Sequence, residues 1–427
     1  MTPGLIAELR WRGMFHDATP GLEDRLRLAE PIAGYIGFDP TGPSLHIGHL
    51  VPIFGLIRLQ RAGGRPIALV GGGTGMIGDP SGRSAERNLL DRETLAANAE
   101  SIGTQLGRFL DFSPGPYAAR MANNADWLDG MGLIDFLRDV GKHFSIPYML
   151  AKDSVQARLE RGLSYTEFSY MLLQAADFEH LYRTWGCELQ MGGADQWGNI
   201  TAGLELIRRV SGGEDGGRRR AYGLSYPLLL SPSGAKFGKT EGGESIWLDA
   251  DRTSPYAFYQ HWLNVDDRAV GVYLRWFTLL PAAEIEALEA AGADRPDARI
   301  PQRAMALDIT SRVHGEAAAR HAVRVSEAAF AREPIRDAAV LQTLHADVDG
   351  FAFDDADLAG GVLALLVRAG LFASNGEARR MITQGGVTIN DERLARPDAA
   401  VPAPIDGEWL VVRIGKRRLS IGRRRAG

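Results

Sequence analysis

The first half of this 427-residue chain alternates between two apolar rhythms, and few folds accommodate that alternation. "AGYIGF" (33–38) reads as a short strand, "SLHIGHLVPIFGLIRLQRAGG" (44–64) as an apolar-periodic helix, and "RPIALVGGG" (65–73) as the next strand. The helix closes on Gly63 and Gly64, a C-cap pair. Pro52 lies deep in that run, so a kink or a late helix start is expected. The pattern resumes with helix "SYTEFSYMLLQAADFEHLY" (164–182), buried strand "CELQMGG" (187–193), helix "DQWGNITAGLELIRRV" (195–210) and last strand "AYGLSYPLLL" (221–230). Such alternation implies a parallel, doubly wound α/β sheet.

The second half reads differently. From Ser254 to about Ala331 the pattern is helical throughout, "AREPIRDAAV" (331–340) reads as a linker region, and a small α+β unit begins near Phe351. That unit carries two helices and then short strands, with Asn390-Asp391 in a hairpin turn. At roughly 150 residues per domain, two or three domains are expected.

Net charge is −5, so the whole chain has no polyanion-binding signature. Its distribution is uneven. From Asp355 onward there are 12 Lys/Arg against 8 Asp/Glu, and after Glu408 come seven basic residues and no acid. A basic end on an acidic body suggests a nucleic-acid partner, although charge alone fits a solvated or disordered basic tail as well. Cys187 is the only cysteine, which excludes an intrachain disulfide and a cysteine-based zinc site. The first residues lack the basic and apolar regions of a signal peptide, and no apolar run is long enough to span a bilayer. A soluble, cytoplasmic chain is expected.

Three short motifs invite a nucleotide. Gly73, Gly75 and Gly78 are spaced as G-x-G-x-x-G, but Pro80 and Gly82 keep the chain in a loop where a dinucleotide fold would open a helix. About 20 residues on, "NLLDRETLAANAE" is helical rather than a strand ending in an acid. "SGAKFGKT" (233–240) ends like a P-loop, yet the position five before Gly238 is Ser233 and a glycine-rich run follows Thr240. Its two lysines still suit a polyphosphate. "HIGH" puts His46 and His49 at i and i+3 near a helix N-terminus, which suits an anion, with Gly48 allowing close approach. A metal pair would need a third ligand that no pattern supplies, and two histidines without a chemical role fit the string as well.

One further stretch is chemically pointed. In "FSYMLLQAADF", Tyr170, Gln174 and Asp177 fall at i, i+4 and i+7 on one helix face. A polar stripe among apolar neighbours needs internal partners or a ligand.

"HIGH" early in a nucleotide-binding sheet and "KFGKT" (236–240) after the last strand together resemble the paired signatures of class I aminoacyl-tRNA synthetases. Lys236 and Lys239 stand at the two lysine places of that family's Lys-Met-Ser-Lys-Ser loop. "YIGFDPTGPSLHIGHL", "GDPSGRSAER", "FSYMLLQAADF" and "GGADQWGNITAGLELIRR" are similar to bacterial tyrosyl-tRNA synthetases. The resemblance covers essentially the whole chain. Its basic C-terminal unit resembles the small RNA-binding domain shared with ribosomal protein S-four.

The resemblance implies a Rossmann-like catalytic domain for ATP and tyrosine over 1–250 and a helical, anticodon-side domain over 251–335. A linker over 336–354 and an RNA-binding domain over 355–427 would follow. It implies activation of L-tyrosine with ATP to tyrosyl-AMP and pyrophosphate, then transfer to the 3′-terminal adenosine of tRNA(Tyr). Asp177 and Tyr35 would bind the phenol hydroxyl. Asp79, Tyr170 and Gln174 would hold the ammonium, with Gln196 lining the pocket and Asn124 supporting it. Thr41 and His49 would meet the γ-phosphate of ATP with His46 beside them at the nucleotide, and Lys236, Lys239, Arg83 and Arg87 would close on pyrophosphate. Asp39, Gly193 and Asp195 would line the adenosine side, with Gly48 beside the nucleotide. Mg²⁺ would accompany ATP without a protein metal site. The family is dimeric, which points to "GLIDFLRDVGKHFSIPYML" (132–150) near an interface.

Two departures stand out. Ile36 replaces a cysteine that many relatives place against the ribose, and the signature loop leaves the phosphate role to Lys236, Lys239 and Thr240. Three other functions remain open at this point: a tryptophanyl-type synthetase, an RNA-binding protein with an inactive synthetase core, and an NAD-dependent oxidoreductase built on the glycine run.

Overall fold

The computed structural model describes residues 4–81, 90–152, 155–156, 162–211, 220–230, 237–238, 244–331, 333–415 and 418–425. The chain forms two compact units, Met1–Arg252 with Val265–Met305, and Thr253–Asn264 with Ala306–Gly427.

In the first unit, among the described residues, six strands form one sheet: β1 (Asp17–Ala18), β2 (Ala33–Phe38), β3 (Arg65–Val70), β4 (Arg120–Asn123), β5 (Cys187–Gly193) and β6 (Tyr222–Tyr226). Their order is β1-β6-β5-β2-β3-β4. β2 pairs in parallel with β3 on one side and β5 on the other, while β1 joins the edge antiparallel to β6. The parallel, doubly wound reading holds, and the two-residue β1 is an addition too short for periodicity to show. β6 stops at Tyr226 because Pro227 has no N–H to continue the ladder. The chain builds outward from β2 through β3 to β4, then returns to place β5 and β6 on the other side. The order therefore reverses between β2 and β5, and ligands of such sheets bind outside the carboxyl ends of the strands at that point.

Helix α1 (Leu50–Arg61) crosses from β2 to β3, after a single 3₁₀ turn at Ile47–His49. Pro52 is thus its third residue, where no intrahelical N–H is required, and the late start is the outcome. Helix α2 (Arg92–Leu106) is capped by Asp91, whose carboxylate accepts from the Thr94 N–H. Helix α3 (Tyr165–Trp185) begins at Ser164, which accepts from the Glu167 N–H, and ends at left-handed Gly186. α3 packs against helix α4 (Trp197–Val210).

A buried arginine pair closes the far side of this unit. Arg12 reaches the carbonyls of Arg275 and Leu280, each at 2.8 Å, and Arg58 reaches that of Trp276 at 2.8 Å. These carbonyls lie at the end of helix α5 (Asp267–Phe277), where orphan acceptors need donors. Burial, with the Arg12 charge alongside, pushes the Arg58 guanidinium down to about 9.

In the second unit, helix Pro255–Leu263 packs on helix α6 (Glu316–Phe330). The stretch 336–354, expected as a linker, carries helix α7 (Ala338–Asp347) and strand β7 (Gly350–Phe353). Asp337 caps α7, and Val340, Leu341 and Leu344 are buried, so this segment is part of the fold. Beyond it come helices α8 (Gly361–Arg368) and α9 (Asn375–Thr383), then β8 (Val387–Ile389), β9 (Glu392–Arg393), β10 (Trp409–Ile414) and β11 (Arg418–Arg424). The sheet order is β7-β11-β10-β8-β9. Asn390 and Asp391 turn the β8–β9 hairpin with φ of 50° and 71°, as a two-residue primed turn requires. Phe353, Val362, Leu366, Ile382 and Leu410 form its core. The basic end is no loose tail: Arg418 pairs with Asp349 at 3.2 Å, Arg423 with Glu408 at 2.8 Å, and Arg424 with Asp355.

Candidate active site

A cavity of about 470 Å³ opens at the carboxyl ends of the strands where the order reverses. Residues at or just past five strand ends line it: Asp39 after β2, Gly71 after β3, Asn124 after β4, Gly193 ending β5 and Tyr226 ending β6. α3 contributes one wall through Tyr170, Gln174 and Asp177, the three positions that helical spacing places on one face.

One part of the cavity is built around a buried carboxylate. Asp177 is 2% exposed and accepts from Asn124 Nδ2 on Oδ2 and from Trp127 Nε1 on Oδ1, each at 2.8 Å. Burial pushes its carboxyl up to about 7, with Asp39's charge adding and the two hydrogen bonds opposing. Tyr35 on β2 is equally buried, and its hydroxyl has no hydrogen-bond partner among the described residues. Burial and the Asp177 charge both raise that phenol. An ionised Asp177 accepts a proton while Tyr35 can give one, so the pair fits a group that both donates and accepts.

Beside it lies a second polar cluster. Asp79 accepts from Gln196 Nε2 at 2.6 Å and from the Ser81 N–H at 2.9 Å. Asn199 donates to Gln174 at 2.9 Å, and Gln174 donates to Gln196 at 3.2 Å. Tyr170 donates to Asp39 at 2.9 Å. Asp39, expected beside adenosine, therefore shares a wall with Tyr170. This cluster presents carboxylate and amide acceptors suited to an ammonium.

Towards the start of α1, the two histidines cap one another's turn. The His46 N–H donates to His49 Nδ1 and the Gly48 N–H to His46 Nδ1, each at 3.1 Å. In the neutral rings the proton is then on Nε2, which makes both histidines donors from that atom. Thr41, Gly48, Gly193 and Asp195 line the same cavity. A side chain at Gly48 would meet the His46 ring at 2.8 Å, so only glycine lets the two imidazoles lie 4.1 Å apart over this turn. Ile36 also lines the cavity with an aliphatic side chain. Lys236, Lys239, Thr240, Arg83 and Arg87 lie outside the described residues.

The glycine run is explained by its neighbours. A Cβ on Gly71 would sit 2.2 Å from Asp39 Oδ1 and 2.5 Å from Thr74 Oγ1. Among the described residues between β3 and α2, which begins at Arg92, the one helical turn is the 3₁₀ turn Thr74–Met76. No helix opens within the motif to hold a dinucleotide pyrophosphate; a Cβ on Gly73 would meet Leu128 at 3.1 Å and one on Gly75 would meet Leu95 at 2.9 Å, so these two glycines serve close packing instead.

Sequence reasoning missed two residues. Trp127 stands three positions after Asn124 in the short helix Ala125–Leu128, and that i, i+3 spacing was the available signal. Its indole stacks on His180 with ring centroids 4.3 Å apart. Thr74, 2% exposed inside the glycine run, carried no signal of its own.

The chain is similar to known proteins over nearly all of its length. A family model described as tRNA synthetases class I (W and Y) matches residues 27–331, and one described as the tyrosine–tRNA ligase SYY-like C-terminal domain matches 341–421. The chain is 51% identical to the tyrosine–tRNA ligase of Roseiflexus castenholzii, with 97% of each chain covered. It is 50% identical to that of Geobacillus stearothermophilus, over 97% of this chain and 98% of the relative. A C-terminally truncated Aspergillus nidulans mitochondrial tyrosyl-tRNA synthetase superposes with a TM-score of 0.68 at 30% identity, covering 77% of this chain and 94% of that one.

Proposed function

The chain belongs to the class I tRNA synthetases of the W and Y type, and from that premise we propose that it is a tyrosine–tRNA ligase. It activates L-tyrosine with ATP and transfers the tyrosyl group to tRNA(Tyr). The observation that carries the choice of amino acid is the buried pair Asp177 and Tyr35, whose hydroxyl has no partner among the described residues. A phenol hydroxyl donates to Asp177 and accepts from Tyr35. Phenylalanine would give Asp177 no further donor and leave the buried Tyr35 hydroxyl without an acceptor, and an indole N–H cannot accept from Tyr35.

In the first step the tyrosine carboxylate attacks the α-phosphorus of ATP. A bond forms from carboxylate oxygen to phosphorus, the bond to the bridging oxygen breaks, and pyrophosphate leaves. The carboxylate is already ionised, so no general base is required. Catalysis is then positioning and stabilisation of charge on the leaving group. In this reading Asp79, Tyr170, Gln174 and Gln196 hold the amino acid, and the imidazole N–H groups of His46 and His49, with Thr41, meet phosphate. Asp39, Gly48, Gly193 and Asp195 border adenosine. Lys236, Lys239, Arg83 and Arg87 supply the cations for pyrophosphate. Mg²⁺ arrives with ATP, held mainly by phosphates, since imidazole and backbone donors suit phosphate oxygens rather than that ion. In the second step a ribose hydroxyl of the terminal adenosine attacks the tyrosyl carbonyl and AMP leaves.

We assign the nucleotide and tyrosine to 1–250 and tRNA to 251–335 and 355–427; the 336–354 stretch carries α7 and β7 and is not a linker. A homodimer is supported by Leu133, Ile134 and Ile146, which are 71%, 73% and 59% exposed on the 132–150 segment. We place the enzyme in the cytoplasm; no described helix is long and apolar enough to cross a membrane. ATP–pyrophosphate exchange across all amino acids tests the activity. Exchange with tyrosine alone is expected, and none with any amino acid would overturn it.

A further inference from the structure

We propose that Thr74 is a positioning residue whose hydroxyl ties Asp39 and Asn124 into one hydrogen-bonded frame serving both the tyrosine and the ATP sides of the cavity. The inference rests on the tyrosine–tRNA ligase reading. Thr74 Oγ1 lies 2.8 Å from Asp39 Oδ1 and 2.9 Å from Asn124 Nδ2. Asn124 in turn lies 2.8 Å from Asp177, and Tyr170 lies 2.9 Å from the other oxygen of Asp39. Five side chains from four segments of chain thus form a continuous path, Tyr170–Asp39–Thr74–Asn124–Asp177.

The direction of each bond is determined. Asn124 Oδ1 accepts from the Gly73 N–H at 2.8 Å, which fixes the amide so that its nitrogen faces Thr74 and Asp177. The Thr74 oxygen accepts from that nitrogen, so its single proton goes to the Asp39 carboxylate. Gly71 leaves the space for this contact, because a Cβ there would strike both Asp39 Oδ1 and Thr74 Oγ1. Removing the hydroxyl leaves a buried Asn124 N–H without its acceptor and takes one donor from Asp39, which keeps that of Tyr170. Asn124 then loosens against Asp177 and Asp39 against Tyr170, although Thr74 itself need not touch either substrate.

Thr74→Val keeps the shape and loses the hydroxyl, whereas Thr74→Ser keeps the hydroxyl and loses a methyl. The frame predicts that Val raises the KM of both tyrosine and ATP in pyrophosphate exchange, with about a tenfold loss of kcat/KM, and that Ser stays within about twofold of wild type. A packing role predicts the reverse order, with Val tolerated and Ser impaired, and that order would overturn the proposal. A change in tyrosine KM alone would also overturn it, since the frame would then serve one side only. If Val does not fold, Thr74→Ala, also without a hydroxyl, is compared with Ser by the same criteria. If the wild-type chain shows no exchange, the ligase reading falls. The frame is then judged by melting temperature: Val below Ser upholds it, and Ser below Val overturns it.

Discussion

The indole N–H of Trp127 lies 2.8 Å from Oδ1 of Asp177, so both carboxylate oxygens are held by donors from one short stretch after β4. Asp177 is thereby fixed before any ligand arrives. Trp127→Phe removes the donor and retains an aromatic ring against His180. The tyrosine KM in pyrophosphate exchange should rise roughly tenfold, the scale of a hydrogen bond to a charged group. An unchanged KM would refute the role.

The Asp177 carboxyl is pushed up to about 7, against an ordinary aspartate near 4 in the unfolded chain. Its folded value is raised, so its stabilising contribution is fully present below about 4 and is lost as pH rises through about 7. Tyrosine binding runs the other way, because only the ionised form accepts the phenol proton. Unfolding free energy of the wild type relative to Asp177→Asn should therefore fall between about pH 4 and 7, while wild-type tyrosine affinity increases towards the upper end. A tyrosine KM independent of pH over that window would contradict the assignment.

Tyr35 holds a hydroxyl in a buried place without a partner among the described residues. Tyr35→Phe keeps its ring contact with Phe178, 5.4 Å between centroids, and removes the unsatisfied group. Thermal unfolding should show a gain of about 1 kcal/mol in the unliganded protein, accompanied by weaker tyrosine binding. A loss of stability would mean that the hydroxyl has a partner in the native state.

Arg25 and Glu188 form a two-pronged pair at 2.7 and 2.9 Å, each side chain 8% exposed, joining the short helix Leu22–Leu26 to β5. Glu188→Ala removes both strong acceptors of a buried guanidinium, leaving it the Glu30 carbonyl at 2.9 Å and the Glu30 carboxylate at 4.0 Å, and should destabilise the protein by about 3 kcal/mol in urea unfolding. Replacing both, as Arg25→Met with Glu188→Leu, should recover most of that loss. A double variant as unstable as the single one would show that the charge itself is needed.

Much of the scaffold was legible because its signals are local. The apolar spacing of α1 and α3 and the Asn390-Asp391 turn each lie within a few residues of what they control. α7 was hidden because its start lies in "AREPIRDAAV", which reads as a linker, although Asp337 within it is the cap that starts the helix. In the site, Tyr170, Gln174 and Asp177 were visible through helical period alone. The link from Trp127 to Asp177 spans 50 residues and that from Tyr170 to Asp39 spans 131, so no local pattern encodes either. Thr74 lay within a glycine run whose spacing pointed to a different nucleotide site, and only the folded contacts show what those glycines leave room for.

In the C-terminal sheet β11 lies between β7 and β10, so the strand translated last of the five is an interior one. On the ribosome β7 emerges early, carrying the buried rings of Phe351 and Phe353, and must wait with an open edge until β11 arrives. Until then that edge can pair with any other extended chain, including the same segment of a neighbouring nascent copy. Loss of Arg418–Arg424 would therefore remove an interior strand and strip β7 of its partner rather than trim the sheet's margin, and the product would be a target for proteolysis.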